Sequence, residues 1–370
     1  MQPASLPLFS LLSDIYPASS LPFQKDRYQA LISKFEEIYK MKPCFVARAP
    51  GRVNLIGEHI DYMGFGVLPF ALELDTLMAF CTTSSSTIEL SHMDSLQFPS
   101  ASLPLSPSYL PSSDKSYFNY FLAGYRSVLA PLNLKESDLK GLNVLITGNV
   151  PIAAGLSSSA AMVVCSAALT LYAYNLQDKI PLKTFTENAI LYERQLGTAV
   201  GGMDQTISIM GQMNKALYIT FNPIEATEVP LPTNVTFYIG DSMTQSAKIL
   251  TVGTHYNKRV CECRLALRII MKKKGITKKL ANLKELMEYL NQNFEEMGVI
   301  VKECLKEGGY TKEELQKELE TDLENALGDI MHWQLVLDQN SSFFLQVKKI
   351  KKKCFFFRLI IFFLLKKLEN

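Results

Sequence analysis

One run limits what this chain can fold into more than any other. Residues 142–147 are apolar and strand-like, residues 160–176 are apolar and helix-like, and between them stands Pro151-Ile152-Ala153-Ala154-Gly155-Leu156-Ser157-Ser158-Ser159. A strand, a Gly/Ser-rich loop and a helix start together make a cradle for an anion. The first N–H groups of a helix lack intrahelical partners, and the helix dipole adds partial positive charge there. Gly155 lets the backbone approach an anion closely. Three serines in a row add hydroxyls for phosphate oxygens or Mg2+. The run is not a Walker-type P-loop, because no Gly-Lys-Ser/Thr follows the serines. Nor is it a dinucleotide fingerprint, whose glycine spacing is missing. The plainer alternative is that the serines only cap the helix.

Two more segments bear on that choice. In Arg48-Ala49-Pro50-Gly51-Arg52-Val53-Asn54-Leu55-Ile56-Gly57-Glu58-His59-Ile60-Asp61-Tyr62, strand-like apolar residues lead into Arg52, Glu58, His59 and Asp61, crowded within ten residues. Carboxylates and an imidazole just past a strand suit hydrogen bonding to a polyhydroxylated ligand. Arg52 suits a carboxylate or a phosphoryl group. A solvated turn is the alternative. In Gly201-Gly202-Met203-Asp204-Gln205, Asp204 follows a glycine pair that shields it little. It suits a proton acceptor for a substrate hydroxyl, or a helix cap.

Taken together, the three segments resemble the GHMP small-molecule kinases, most closely the galactokinase and N-acetylgalactosamine kinase branch. The run 51–62 looks like the galactokinase signature, 155–160 like the ATP-binding motif, and 201–205 like the segment with the catalytic aspartate. Residues 256–266, Tyr256-Asn257-Lys258-Arg259-Val260-Cys261-Glu262-Cys263-Arg264-Leu265-Ala266, look more like N-acetylgalactosamine kinases and plant galactokinases. The resemblance runs from about residue 45 to 266 and is thinner as far as 327.

The resemblance implies an α+β GHMP kinase fold. An N-terminal domain like a small ribosomal-protein domain is expected over residues 25–230, after an irregular arm at 1–24. A partial, ferredoxin-like C-terminal domain follows over 231–328, and an atypical tail over 329–370. The implied activity is Mg2+- and ATP-dependent phosphorylation of the C1 hydroxyl of galactose or N-acetylgalactosamine, at a site between the domains. Asp204 and Arg52 are the implied catalytic pair. Glu58, His59, Asp61, Gly201, Gly202 and Tyr256 join them as sugar contacts. Gly155, Ser157, Ser158, Ser159 and Lys248 are implied for ATP, with Ser158 near Mg2+. The alternatives are a non-catalytic sugar and ATP sensor, or an inactive truncated product. Phosphoryl transfer asks a protein mainly for positioning and charge stabilisation.

Composition sets outer limits. The net charge of +2 hides eight Lys/Arg against one acid in residues 343–370, which leaves the rest at −5. A mildly acidic body gives no footing to nucleic acid. Seven scattered cysteines, an odd count without CxxC metal spacing, suggest reduced thiols in a cytoplasmic protein. The expected state is a monomer binding only sugar and ATP. His92, His255 and His332 have no ligand-spaced partners and read as ordinary surface or core residues. No secretory signal is read at the N-terminus, where the first basic residue is Lys25.

Helices are expected over 26–39, 117–129, 160–176, 182–196, 247–271 and 283–294, with another opening at Thr311 in a capping box. Strands are expected over 45–47, 53–56, 67–72, 77–81, 142–147 and 235–239, and a surface loop over 99–113. The family's third, glycine-rich motif has no counterpart. The Lys/Phe/Leu tract 343–370 shows neither helix nor strand logic. Its apolar stretch 354–365 is too short to span a bilayer. A mis-spliced or frameshifted end is the expectation there, ahead of a membrane-surface anchor.

Overall fold

A computed structural model describes residues 5–109, 116–241, 256–328 and 330, and the backbone of 359–365. Its organising element is the long strand Pro69–Thr83, β2. Along one edge β2 pairs antiparallel with Phe45–Asn54, β1. Along the other it pairs with Gly141–Gly148, β5, and, at Phe70, with Lys215–Thr220, β6. Thr87–His92, β3, lies parallel to β5 and carries Ala101–Pro104, β4, at the edge. Glu225–Pro230, β7, closes the other edge against β6.

Side chains alternate along a strand, so each face of the sheet has its own core. Met78, Phe80, Val144 and Ile146 face a helical layer of Tyr117–Leu129 (α2), Ser158–Ala173 (α3), Leu182–Arg194 (α4) and Met203–Met210 (α5). Leu77, Ala79 and Leu145 face Leu31 and Phe35 of Leu21–Tyr39 (α1) on the opposite side. Helices α2 and α3 touch through Gly124, where an added Cβ would lie 2.2 Å from the Val163 carbonyl oxygen. Any larger residue would push the layer apart.

A register irregularity between Pro50 and Arg52 interrupts the β1–β2 ladder. A slip of that kind exchanges the two faces of a strand. Ala47 and Ala49 face the helical layer before it. After it, Val53 turns away to pack with Phe70 and Leu156. Arg52, opposite Ala71, now points toward the helices.

A second lobe is helical: Asn257–Lys273 (α6), Leu283–Tyr289 (α7), Phe294–Cys304 (α8), Lys312–Leu319 (α9) and Leu323–Leu327 (α10). Its core gathers Leu265, Ile269, Leu286, Leu315 and Leu323, with Tyr62 and Ala199 of the first lobe packed at its margin. Asn293 and Thr311 close capping boxes at α8 and α9. Val235–Asp241, β8, pairs antiparallel with Leu359–Leu365, β9.

Several expectations change. Helix α1 begins at Leu21, inside the stretch read as an irregular arm, with Pro22 in its first turn, where a missing N–H costs nothing. The short strands 45–47 and 53–56 are one strand, as are 67–72 and 77–81 from Pro69 on, because pairing partners carry β1 and β2 through the polar residues. The loop read over 99–113 contains β4, and its residues 110–113 lie outside the described residues. The helix read over 283–294 stops at Tyr289, since Asn291 is left-handed at φ 51° and Asn293 caps a new helix. The helix read over 247–271 starts at Asn257, with 247–255 outside the described residues. Part of the tail without strand logic is β9, paired far along the chain. Cys44 and Cys81 form a disulfide rather than two reduced thiols. The Cys44 N–H bonds the Phe80 carbonyl, which sets the two cysteines side by side where the β1–β2 ladder begins. Among the described residues no helix is long and apolar enough to cross a membrane.

Candidate active site

Arg52 is the centre of the site, and its position follows from the strand slip beneath it. It is buried; its Nε donates to Asp204 Oδ1 at 2.7 Å and its Nη1 to the Gly155 carbonyl at 2.7 Å. Its own N–H donates to the Leu156 carbonyl at 3.1 Å. One side chain thus joins the Gly/Ser loop to the aspartate segment. Burial pulls the guanidinium pKa down, but Asp204, Glu58 and Asp61 outweigh it and hold Arg52 above its ordinary value.

Asp204 sits in the first turn of α5, whose N-cap is Gly202 at φ 121°. The cap is therefore backbone, and the Asp204 carboxylate is turned to Arg52. Met203 and Ile207 of the same helix lie in the core, which fixes the helix and its first turn. Gln205 faces the other way and donates to the buried Glu193 at 2.5 Å.

Asp61 closes in from the signature segment. A Cβ on Gly201 would lie 2.3 Å from the Asp61 carboxyl carbon, so only glycine permits this approach. Burial first, and the Asp204 charge second, push Asp61 up to about 6. His59 stands at a left-handed φ of 59°, and its Nδ1 shares a hydrogen bond with the Tyr62 hydroxyl at 3.1 Å. Tyr256, at the start of α6, completes an aromatic trio, its ring 5.0 Å from His59 and 5.8 Å from Tyr62. Burial, then the charge of Asp61, raises the Tyr256 hydroxyl well above the ordinary tyrosine range, so it stays a neutral donor at physiological pH.

The loop 197–201 is held from both lobes. The Asn257 side chain donates to the Gly197 carbonyl at 2.7 Å and accepts from the Ala199 N–H at 3.1 Å. Arg194 donates to the carbonyls of Val200 at 2.8 Å and Gly201 at 3.3 Å. These two anchors and Tyr62 were missed as site residues by sequence reasoning, although Tyr62 and Asn257 stand inside the quoted motifs. Their neighbours in sequence were the available signal.

The Gly/Ser loop has the shape of an anion nest. Ala153, Gly155 and Ser157 have positive φ (59°, 77° and 62°), alternating with residues that do not, which turns N–H groups inward. Ser157 precedes α3 without a side-chain capping bond, and its buried hydroxyl has no partner among the described residues. Serine capping, the plainer reading of this run, is not what the structure shows. Ser158 and Ser159 open the helix itself. Arg52, Glu58, Asp61, Gly155, Gly201, Gly202, Asp204, His59 and Tyr256 are thus brought together, while Lys248 lies outside the described residues.

Known proteins are similar to this chain. A profile described as the galactokinase galactose-binding signature matches residues 33–82, and one for the GHMP kinase N-terminal domain matches 119–212. The galactokinase of Dictyostelium discoideum is 36% identical over 334 residues, covering 88% of this chain and 66% of that protein. The galactokinase of Candida parapsilosis is 35% identical over 345 residues, covering 85% and 67%. This chain therefore spans about two thirds of the length of those two relatives. A crystal structure of Lactococcus lactis galactokinase complexed with galactose superposes with a TM-score of 0.60 at 24% identity, covering 75% of this chain and 70% of that one. That likeness is one of fold.

Proposed function

We propose a function from the premise that this chain belongs to the galactokinase family of the GHMP kinases and has their α+β fold. The chain transfers the terminal phosphoryl group of ATP to the C1 hydroxyl of galactose. The observation that carries this reading is Arg52, hydrogen-bonded at once to Asp204 and to the phosphate-type loop at Gly155.

Asp204 accepts the proton of the sugar hydroxyl as the oxygen attacks phosphorus. Arg52 stays charged and stabilises negative charge on the transferring group. Asp61, Glu58, His59, Gly201, Gly202 and Tyr256 hold the remaining hydroxyls. Gly155, Ser157, Ser158 and Ser159 take the phosphates at the start of α3, with Lys248 assigned near the nucleotide from sequence alone. Mg2+ draws most of its ligands from phosphate and water, with one or two from protein. The Ser157 hydroxyl, without a partner among the described residues, fits that sparse demand, and Ser157 or Ser158 would provide the protein oxygen. When bound, the ion neutralises charge on the phosphates.

Galactose is favoured over N-acetylgalactosamine by the match of residues 33–82 to a galactose-binding signature. The test is ADP release with each sugar in turn. Release that depends on galactose, in equal amount to sugar 1-phosphate, is expected. No sugar-dependent release from the folded chain sinks the kinase reading and leaves a sugar- and ATP-binding sensor.

A further inference from the structure

Asn54 has no part in the chemistry above, yet it is the most anomalous polar residue near it. It is 7% exposed. Both its amide nitrogen and its amide oxygen are buried, and neither has a hydrogen-bond partner among the described residues. Folded chains rarely leave a side-chain amide without any partner, because donor and acceptor have both lost water.

The direction of this side chain follows from the sheet. Asn54 pairs with Pro69, and Arg52 pairs with Ala71. Residues two apart share a face. Ala71 and Val67 pack into the helical layer, so Pro69 and Asn54 belong to that face, together with Arg52. Val53, between them, turns the opposite way. The chain also has a direction here. At Arg52 its N–H is bonded to Leu156, at the phosphate loop. It then runs through Asn54 toward Asp61, which abuts Gly201. Asn54 therefore follows Arg52 along the same face of β1, on the stretch of chain that leads from the Leu156 contact to the Asp61 segment.

We infer that Asn54 is a further sugar-binding residue, its amide taking one hydroxyl of the hexose as donor, acceptor or both. A hydroxyl and a primary amide each donate and accept, so either can satisfy the other. The inference rests on the sugar-kinase reading of the same cleft.

The test uses the full chain and the substitution Asn54→Leu, which keeps the volume and removes both polar atoms. Replacing an unsatisfied buried amide with an apolar group is neutral or stabilising when the amide serves only the free protein's fold. The free variant is expected to melt at or above the parent's temperature. Its galactose dissociation constant, by calorimetric titration, is expected to rise about tenfold or more, with affinity for a non-hydrolysable ATP analogue within about twofold. Should Asn54→Leu fail to fold, Asn54→Ser gives the same reading with a smaller loss. Unchanged galactose affinity in either folded variant overturns the assignment alone. A parent chain that takes up ATP analogue but no galactose overturns the sugar reading of the cleft, and this assignment with it.

Discussion

Two aspartates on opposite faces of one sheet hold arginines in opposite circumstances. Asp75 faces α1 and is fully buried. Its Oδ1 accepts from Arg27 at 2.6 Å, and its Oδ2 from Arg48 at 2.5 Å and from the Tyr16 hydroxyl at 2.5 Å. Its backbone is tied to Asn149, where the chain leaves β5 for the Gly/Ser loop. Here two cations surround one anion and every oxygen is used. Around Arg52 the ratio is reversed: Asp204, Glu58 and Asp61 all act on one guanidinium. The contrast separates a charge cluster that is finished in the folded chain from one whose balance depends on what enters the cleft. Both are buried ion pairs by distance, and distance alone would not tell them apart.

The comparison can be broken from either side. The largest effect belongs to Asp204→Ala. On the proposed reaction, removing this carboxylate should lower kcat with galactose by about 10²–10⁴-fold, while the melting temperature stays within a few degrees. A variant that keeps more than a tenth of the parental rate would remove Asp204 from the chemistry. Asp75→Asn should do the reverse. Leaving Arg27 and Arg48 without their anion should cost about 3–5 kcal/mol in a urea titration, with kcat per folded molecule unchanged. A loss below about 1 kcal/mol would place Asp75 among the weak surface pairs.

The smallest effect sharpens the contrast through pH. Asp61 is pushed from 3.8 up to about 6, by burial and then by Asp204. A folded-state value above the unfolded one means the folded chain holds this proton more tightly. The stability it contributes is complete below about pH 4 and is lost as pH rises through about 6. Asp61→Asn should flatten the stability profile across that window. It should also remove any rise of galactose affinity there, since only the ionised carboxylate is a pure acceptor. Urea midpoints at pH 4, 5, 6 and 7 decide it, and identical slopes in parent and variant would count against the assigned environment.

Much of the site was legible because its residues are packed into short motifs. Arg52, Glu58, His59 and Asp61 share ten residues, and Gly201 to Asp204 share four. The residues that hold those motifs in place were not legible. Arg194 and Asn257 act on backbone carbonyls and an N–H, a contact that leaves no periodic trace. Helices α2 and α4 were read nearly to the residue, since their apolar spacing is dictated locally. Strands β1 and β2 were broken in two by that same logic, because Arg48, Glu73 and Asp75 look like turn residues until their partners across the sheet are known. Cys44 and Cys81 were separated for the same reason: strand register, not spacing, makes them neighbours. The pairing of β8 with β9 joins segments separated in sequence by the whole helical lobe, so no local pattern announces it.

The asparagine at the start of α6 has a mechanical consequence. Asn257 grips the loop leading to Gly201 and Asp204, and its neighbour Tyr256 touches the ring of His59. Swinging the helical lobe aside would drag both along. The helical lobe is thus coupled at two points to the edge of the cleft, the loop before Gly201 and the imidazole of His59, while Asp204 stays fixed to the first lobe's core.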